Sequence, residues 1–431
     1  MKKEDAIIGH PLLNTLLLVE CLVWCSLKVH RNLIVYLHQH QISTNGMKPL
    51  HVKSLNKALY YFVYQSFNCY IYSMKRTKNT YKTMNFSTPF MERETRPSKF
   101  YAQMNLLIDW KKIETLINRY YTKGNTLKGE KPYSGLLLFK MLLVEIWNGL
   151  SDVETEDHLN DSISAMRFCG LDLEDKVPDH STLSRFRTAL TKAKAMDKLL
   201  AAVNNQLESH KLIVKTGVKV DASLTATPLK PKGKTKYEIA EDRKEDEISQ
   251  EQQDKQTSEL KKIVSQGTDT EARWVKKGGK TIFGYKRHDG VDEAGMILGV
   301  HTTTANEHDS KGLEPLLKKI PKRHKEKGVW TDKGYKVPNN DKLLKDEKIK
   351  NRIQRKAYRN RPLTYWEKIF NKLISKTRYV VERTFGGMKR WFKAGIARYR
   401  GIEKMHTQHV LEAICHNLKR APGLVRQLAT K

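Results

Sequence analysis

Cysteine is scarce in this chain. Five in 431 residues, Cys21, Cys25, Cys69, Cys169 and Cys415, form no C-x-x-C pair. An odd, scattered set excludes a disulfide framework and a cysteine-built zinc site, and fits a reducing cytoplasm. Acid is short as well: 47 Asp and Glu stand against 79 Lys and Arg, a net charge of +32. Such an excess disfavours basic partners and points to a polyanion. Long apolar runs are also missing. The stretch 12–24 is interrupted by Asn14 and Glu20, and falls short of the ~20 apolar residues of a bilayer span. No small-x-small cleavage site follows it, so it does not read as a signal peptide. No repeat of 20–50 residues is visible, which excludes solenoids and propellers. His38-Gln39-His40 has no Cys or acid beside it and reads as a polar helix surface.

Four segments follow from pattern. Residues 1–95 read as an N-terminal extension, poorly ordered or partly helical, with Met74, Met84 and Met91 each a plausible start. Residues 96–210 are helical. Apolar residues recur at helical spacing, Asn148-Gly149 gives a stop, and Ser151 to Glu156 gives an acidic, capped first turn. The segment Pro178 to Arg187 opens a further helix, with Ser/Thr caps and outward Arg185 and Arg187. Short helices with an Arg-bearing member suit a helix-turn-helix-like DNA-binding module. Residues 211–400 switch to strands at 218–224, 282–288, 296–302 and 328–331, the middle two forming a hairpin. A long helix occupies roughly 365–393. The charged stretch 229–272 reads as a disordered or solvated helical insertion. Residues 401–431 form a C-terminal helical tail. The expected architecture is a mixed α/β sheet flanked by helices.

Three carboxylates stand out. Asp221 ends the apolar run Val218-Lys219-Val220, Asp332 follows Gly328-Val329-Trp330-Thr331, and Glu382 lies in the helical Arg378 to Gly386. Hard divalent cations want carboxylate oxygens, and a pair of Mg²⁺ ions can serve an in-line phosphoryl displacement. Arg378, Glu382 and Lys389 fall within about 60° on one helix face. The apolar set Phe370, Leu373, Val381, Phe385, Met388 and Phe392 marks the buried face beside them. The acid would bind metal while Arg378 and Lys389 hold phosphates. Asp309 reads as a helix cap or a fourth acid.

These residues, in this order, resemble the catalytic domain of bacterial insertion-sequence transposases of the DDE class, most of all the insertion-sequence-five group of the insertion-sequence-four-like superfamily. The matching segments are Val220-Asp221-Ala222-Ser223, Ala272-Arg273-Trp274 with Lys276 to Lys280, Asn306 with His308-Asp309, Thr331-Asp332-Lys333-Gly334-Tyr335, and Arg378 to Lys389. The family's Tyr-x2-Arg-x3-Glu-x6-Lys signature falls on Arg378, Glu382 and Lys389, with Ser375 at the tyrosine position. The helical segment is similar to that family's N-terminal domain. The resemblance implies a ribonuclease H-like fold preceded by an all-α DNA-binding domain. It implies Asp221, Asp332 and Glu382 as catalytic residues and ligands of two Mg²⁺ (or Mn²⁺) ions. It also implies a homodimer that cuts DNA at terminal inverted repeats and joins the freed 3′-hydroxyl to target DNA, with no membrane involvement. A nuclease of the same fold without strand transfer, or an inactive DNA-binding regulator, are the alternatives.

Overall fold

A computed structural model describes residues 94–121, 132–231, 236–239, 260–263 and 267–430. The extension, apart from its last two residues, Cys21, Cys25, Cys69 and the His38-Gln39-His40 triplet therefore lie outside the described residues.

The N-terminal part is helical: α1 (Arg96–Leu107), α2 (Trp110–Asn118), α3 (Gly135–Asn148), α4 (Asp152–Asp161), α5 (Ile163–Cys169), α6 (His180–Lys192) and α7 (Met196–Ser209). The stops and caps act as their chemistry requires. Gly149 ends α3 at φ 69°, and Ser151 and Glu154 close a capping box on α4. The cap of α6 is Asp179, which accepts from the Thr182 amide, and not a Ser or Thr.

The strands follow: β1 (Val218–Ala226), β2 (Lys236–Ile239), β3 (Leu260–Ile263), β4 (Arg273–Lys277), β5 (Lys280–Val291) and β6 (Ile297–Thr304). After them come α8 (Leu313–Lys319), α9 (Lys322–Lys325), β7 (Val329–Thr331), α10 (Pro338–Asp346), β8 (Asn351–Ile353), α11 (Tyr365–Phe392) and α12 (Ile402–Ala429). The main sheet runs β4-β5-β1-β7-β8, with β6 paired to the far half of β5. β1 is antiparallel to β5 and parallel to β7, and β7 is parallel to β8, so the sheet is mixed. The β5–β6 hairpin expected from sequence is present.

Three expectations change. β4 precedes the strand read from sequence, joined to β5 through Gly278 and Gly279 at φ 58° and 78°, the left-handed pair that a tight hairpin turn demands. Within the charged insertion, the described pieces are not helical: β2 and β3 pair as a two-stranded antiparallel sheet. The C-terminal helix is not a peripheral tail. Val410, Leu411, Ala413, Ile414 and Leu418 of α12 are fully buried. Asn417 binds the backbone of edge strand β6, its Oδ1 accepting from the Ile297 amide at 2.8 Å and its Nδ2 donating to the Ile297 carbonyl at 2.8 Å. One continuous core joins helix residues such as Phe139, Leu142 and Leu199 with Val218, Val300 and Val329 of the sheet.

Candidate active site

The parallel pairing of β1 with β7 decides where two of the acids go. Val218 lies opposite Val329 and Lys219 opposite Trp330. Carried on two steps, that register sets Asp221 beside Asp332. Buried Val218 and Val220 fix β1 in the core, so the carboxylate is delivered by a strand that cannot slip without exposing them. Asp332 sits one residue past β7 and caps a 3₁₀ turn, its Oδ1 accepting from the Gly334 amide at 2.9 Å. A Cβ at Gly334 would stand 3.0 Å from that oxygen, which is why a glycine follows. Tyr335 is buried beneath, hydrogen-bonded to Nδ1 of His288 at 3.1 Å. Burial first, then the charges of Asp221, Asp309 and Asp332, push its phenol well above the usual tyrosine range.

Glu382 comes from α11, which packs across β1. It is exposed and makes no ion pair among the described residues. Its charge still reaches Asp221: burial foremost, opposed by Arg378 and reinforced by Asp332 and Glu382, raises the Asp221 carboxyl above its ordinary value. The three acids therefore converge electrostatically. They do not yet enclose an ion, since no group of three His, Cys, Asp or Glu side chains among the described residues is close enough to do so.

Arg378 is where sequence and structure part. Its helix face, shared with Glu382 and Lys389 beside the buried face, suggests a phosphate contact, but it is buried and pairs with Asp221, Nη2 to Oδ2 at 3.0 Å. Leu373, expected inside, is 58% exposed. The guanidinium thus supplies the counter-charge at Asp221, and its Nε has no partner. By residue type the three carboxylates suit a hard divalent cation, although in this arrangement they form no three-ligand cluster, and among the described residues Oδ2 of Asp332 and the Glu382 carboxylate make no hydrogen bond or ion pair.

Lys389 lines a cleft of about 400 Å³ against Ala222, Ser223 and Leu224 of β1. Opposite it stands Lys277, at the end of β4. Burial, then the nearby charges of Lys277 and Arg287, lowers the Lys389 ammonium from the usual lysine value. Among the described residues neither lysine has an acid partner, so the cleft they line carries uncompensated positive charge. Sequence reading missed Lys277. Its signal was the Lys277-Gly278-Gly279-Lys280 turn, which projects a cation from a hairpin tip.

On α6, Arg185 is exposed and lines an open cleft of about 730 Å³ with His180, Ser184 and Lys192. Arg187 does not face outward. It is 5% exposed, donates to both oxygens of Asp152 at 2.7 and 2.6 Å, and pairs with Glu145 at 3.3 Å. Its partners occupy the fork that would otherwise reach DNA. Asp309 is neither cap nor free acid: His308 caps that turn, and Asp309 pairs with Lys286 at 2.7 Å.

Comparison with known proteins gives three findings. The family described as "Transposase DDE domain" matches residues 220–418, and the one described as "Transposase domain" matches residues 89–189. A curated relative, "Transposase for insertion sequence element IS1106" of Neisseria meningitidis serogroup B, is 37% identical over 241 residues, 55% of this chain and 76% of that protein. No solved structure matches.

Proposed function

The chain belongs to the bacterial insertion-sequence transposases that carry a DDE domain, and on that premise we propose that it binds the terminal inverted repeats of its element, cleaves DNA there and transfers the freed strand. The observation that carries this reading is the β1–β7 register, which sets Asp221 beside Asp332 under the charge of Glu382. Asp221, Asp332 and Glu382 would hold the divalent ions that the family uses, Mg²⁺ or Mn²⁺. When bound, such ions activate an attacking oxygen and stabilise a leaving one.

The chain's own groups do the rest. Arg378 favours the charged form of Asp221 against its burial and orients it through their 3.0 Å pair. Lys389 and Lys277 seat a backbone phosphate in the cleft beside β1. Neutral Tyr335, hydrogen-bonded to His288, packs under the acids and keeps water from their floor. Exposed Arg185, on the open face of α6, contacts the terminal repeat. Two copies act together, one at each DNA end, in the cytoplasm. Among the described residues no helix is long and apolar enough to cross a membrane.

The test is a cleavage and joining assay on DNA bearing the sequences that flank this reading frame. The proposal expects Mg²⁺-dependent nicking at the repeat ends followed by joined product. Nicking without joined product would leave a nuclease. Binding without either would leave a regulator.

A further inference from the structure

Helix α11 carries more than the site. From Glu382 backward, Tyr379, Ser375, Lys372, Lys368 and Tyr365 recur at spacings of three and four, and every one is exposed. At ~100° per residue they lie on one side of the helix, within about 100° of Glu382. The stripe ends against the turn that joins β8 to α11. Between 348 and 376 stand ten Lys or Arg against one acid, Glu367. Among the described residues only Arg361 of the ten has an acid partner, Glu367 at 3.5 Å. The same place exposes three rings: Tyr358 at 58%, Tyr365 at 71% and Trp366 at 75%. Tyr365 and Trp366 meet edge to face with centroids 5.5 Å apart.

This turn is held in place. Tyr358 and Arg361 exchange two backbone hydrogen bonds at 3.1 Å. Asn371 of α11 clasps Arg355 through both its amide and its carbonyl, at 2.7 and 3.0 Å, and Gln354 donates to Ser375 at 2.7 Å. A single exposed ring is ordinary, but three on one anchored turn whose cations, Arg361 apart, have no acid partner among the described residues mark a contact site. The ligand that answers flat apolar rings and a dense positive field together is nucleic acid, with bases for the rings and phosphates for the cations.

We infer that DNA leaving the three acids runs along the exposed stripe of α11 and is gripped at its far end by the turn carrying Tyr358, Arg359 and Arg361 with Tyr365 and Trp366. This rests on the proposed action on DNA and adds where the flanking duplex lies. The helix from Glu382 to Tyr365 is about 25 Å long at ~1.5 Å per residue, or about seven base-pair steps.

The experiment measures affinity for element-end duplexes extended by about 3 or about 12 base pairs on either side of the cleaved bond, sizes that bracket those seven steps. The full chain should gain affinity on lengthening one side only. Tyr365→Ala with Trp366→Ala, and separately Arg359→Ala with Arg361→Ala, should lose that gain, roughly ten-fold, at unchanged affinity and cleavage on the short duplex. The arginine pair should also lower the salt slope by about two. Variants that keep the full gain would overturn the inference while leaving the transposase reading intact. A wild-type chain that binds neither duplex would sink both. Variants that sediment as a smaller species than wild type without DNA would assign the patch to contact between copies, and overturn it as well.

Discussion

At the scale of residues, Arg378 and Gly334 control the acids they touch. Arg378 opposes the burial that raises the Asp221 carboxyl. Its loss raises that carboxyl further, so more of it is protonated at a given acidic pH. Arg378→Ala should therefore move the acidic limb of the cleavage pH profile upward, and higher Mg²⁺ should move it back, since cation and proton compete for the same oxygens. An acidic limb that stays in place would remove Arg378 from this role. Gly334→Ala presses a Cβ on Asp332 Oδ1 at 3.0 Å. A displacement of a few tenths of an ångström should lower cleavage roughly ten-fold with the melting temperature nearly unchanged; wild-type cleavage would show that Asp332 tolerates the shift. Asp221 and Asp332 stood out in sequence because one ends the apolar run 218–220 and the other follows the run 328–331. The fate of Arg187 was not. Helical spacing tells which residues share a face, whereas Asp152 and Glu145 come from two other helices.

At the scale of elements, two arginines of α6 differ in their surroundings, Arg187 buried among acids and Arg185 exposed, and should differ in what their loss costs. Arg187→Ala leaves Asp152 without its cation and buried Glu145 with only Arg398 at 3.5 Å and the Tyr399 hydroxyl at 2.7 Å, and should cost about 3–5 kcal/mol in denaturant unfolding. Arg185→Ala, on the exposed face, should stay within about 0.5 kcal/mol of wild type and weaken preference for the terminal repeat by about 1–3 kcal/mol per lost base contact. The reverse pattern would exchange their roles. Asn417→Ala unpairs the Ile297 amide, while the Ile297 carbonyl keeps Asn204 Nδ2 at 2.9 Å, at about 1–3 kcal/mol for one buried donor left unsatisfied; a loss below about 0.5 kcal/mol would show that water replaces the side chain. The helical state of 401–431 was readable in sequence, but its central place was not. That place depends on polar residues, Asn417, His409 and Glu412, whose partners lie more than a hundred residues away. The β2–β3 pairing within the insertion was hidden for a different reason. Short charged strands carry no alternation of polar and apolar residues from which to read them.

At the scale of the molecule, the main core shared by the helices and the sheet, beside a smaller cluster around Phe283 and Tyr285, predicts one cooperative unfolding transition for the described body, monitored by circular dichroism and tryptophan fluorescence alike. Separate midpoints would divide it. The charge of +32 predicts DNA affinity that falls steeply with salt, because each neutralised phosphate releases counterions. The central claim is narrower than either. It is that Asp221, Asp332 and Glu382 form one cation-dependent reaction centre. The direct measurement is Mg²⁺-dependent cleavage of repeat-ended DNA by Asp221→Ala, Asp332→Ala and Glu382→Ala, with DNA binding measured on the same preparations. Each variant should bind DNA at least as tightly as wild type, since an acid facing phosphates is gone, and none should cleave. A Glu382→Ala protein that cleaves at the wild-type rate would contradict the account.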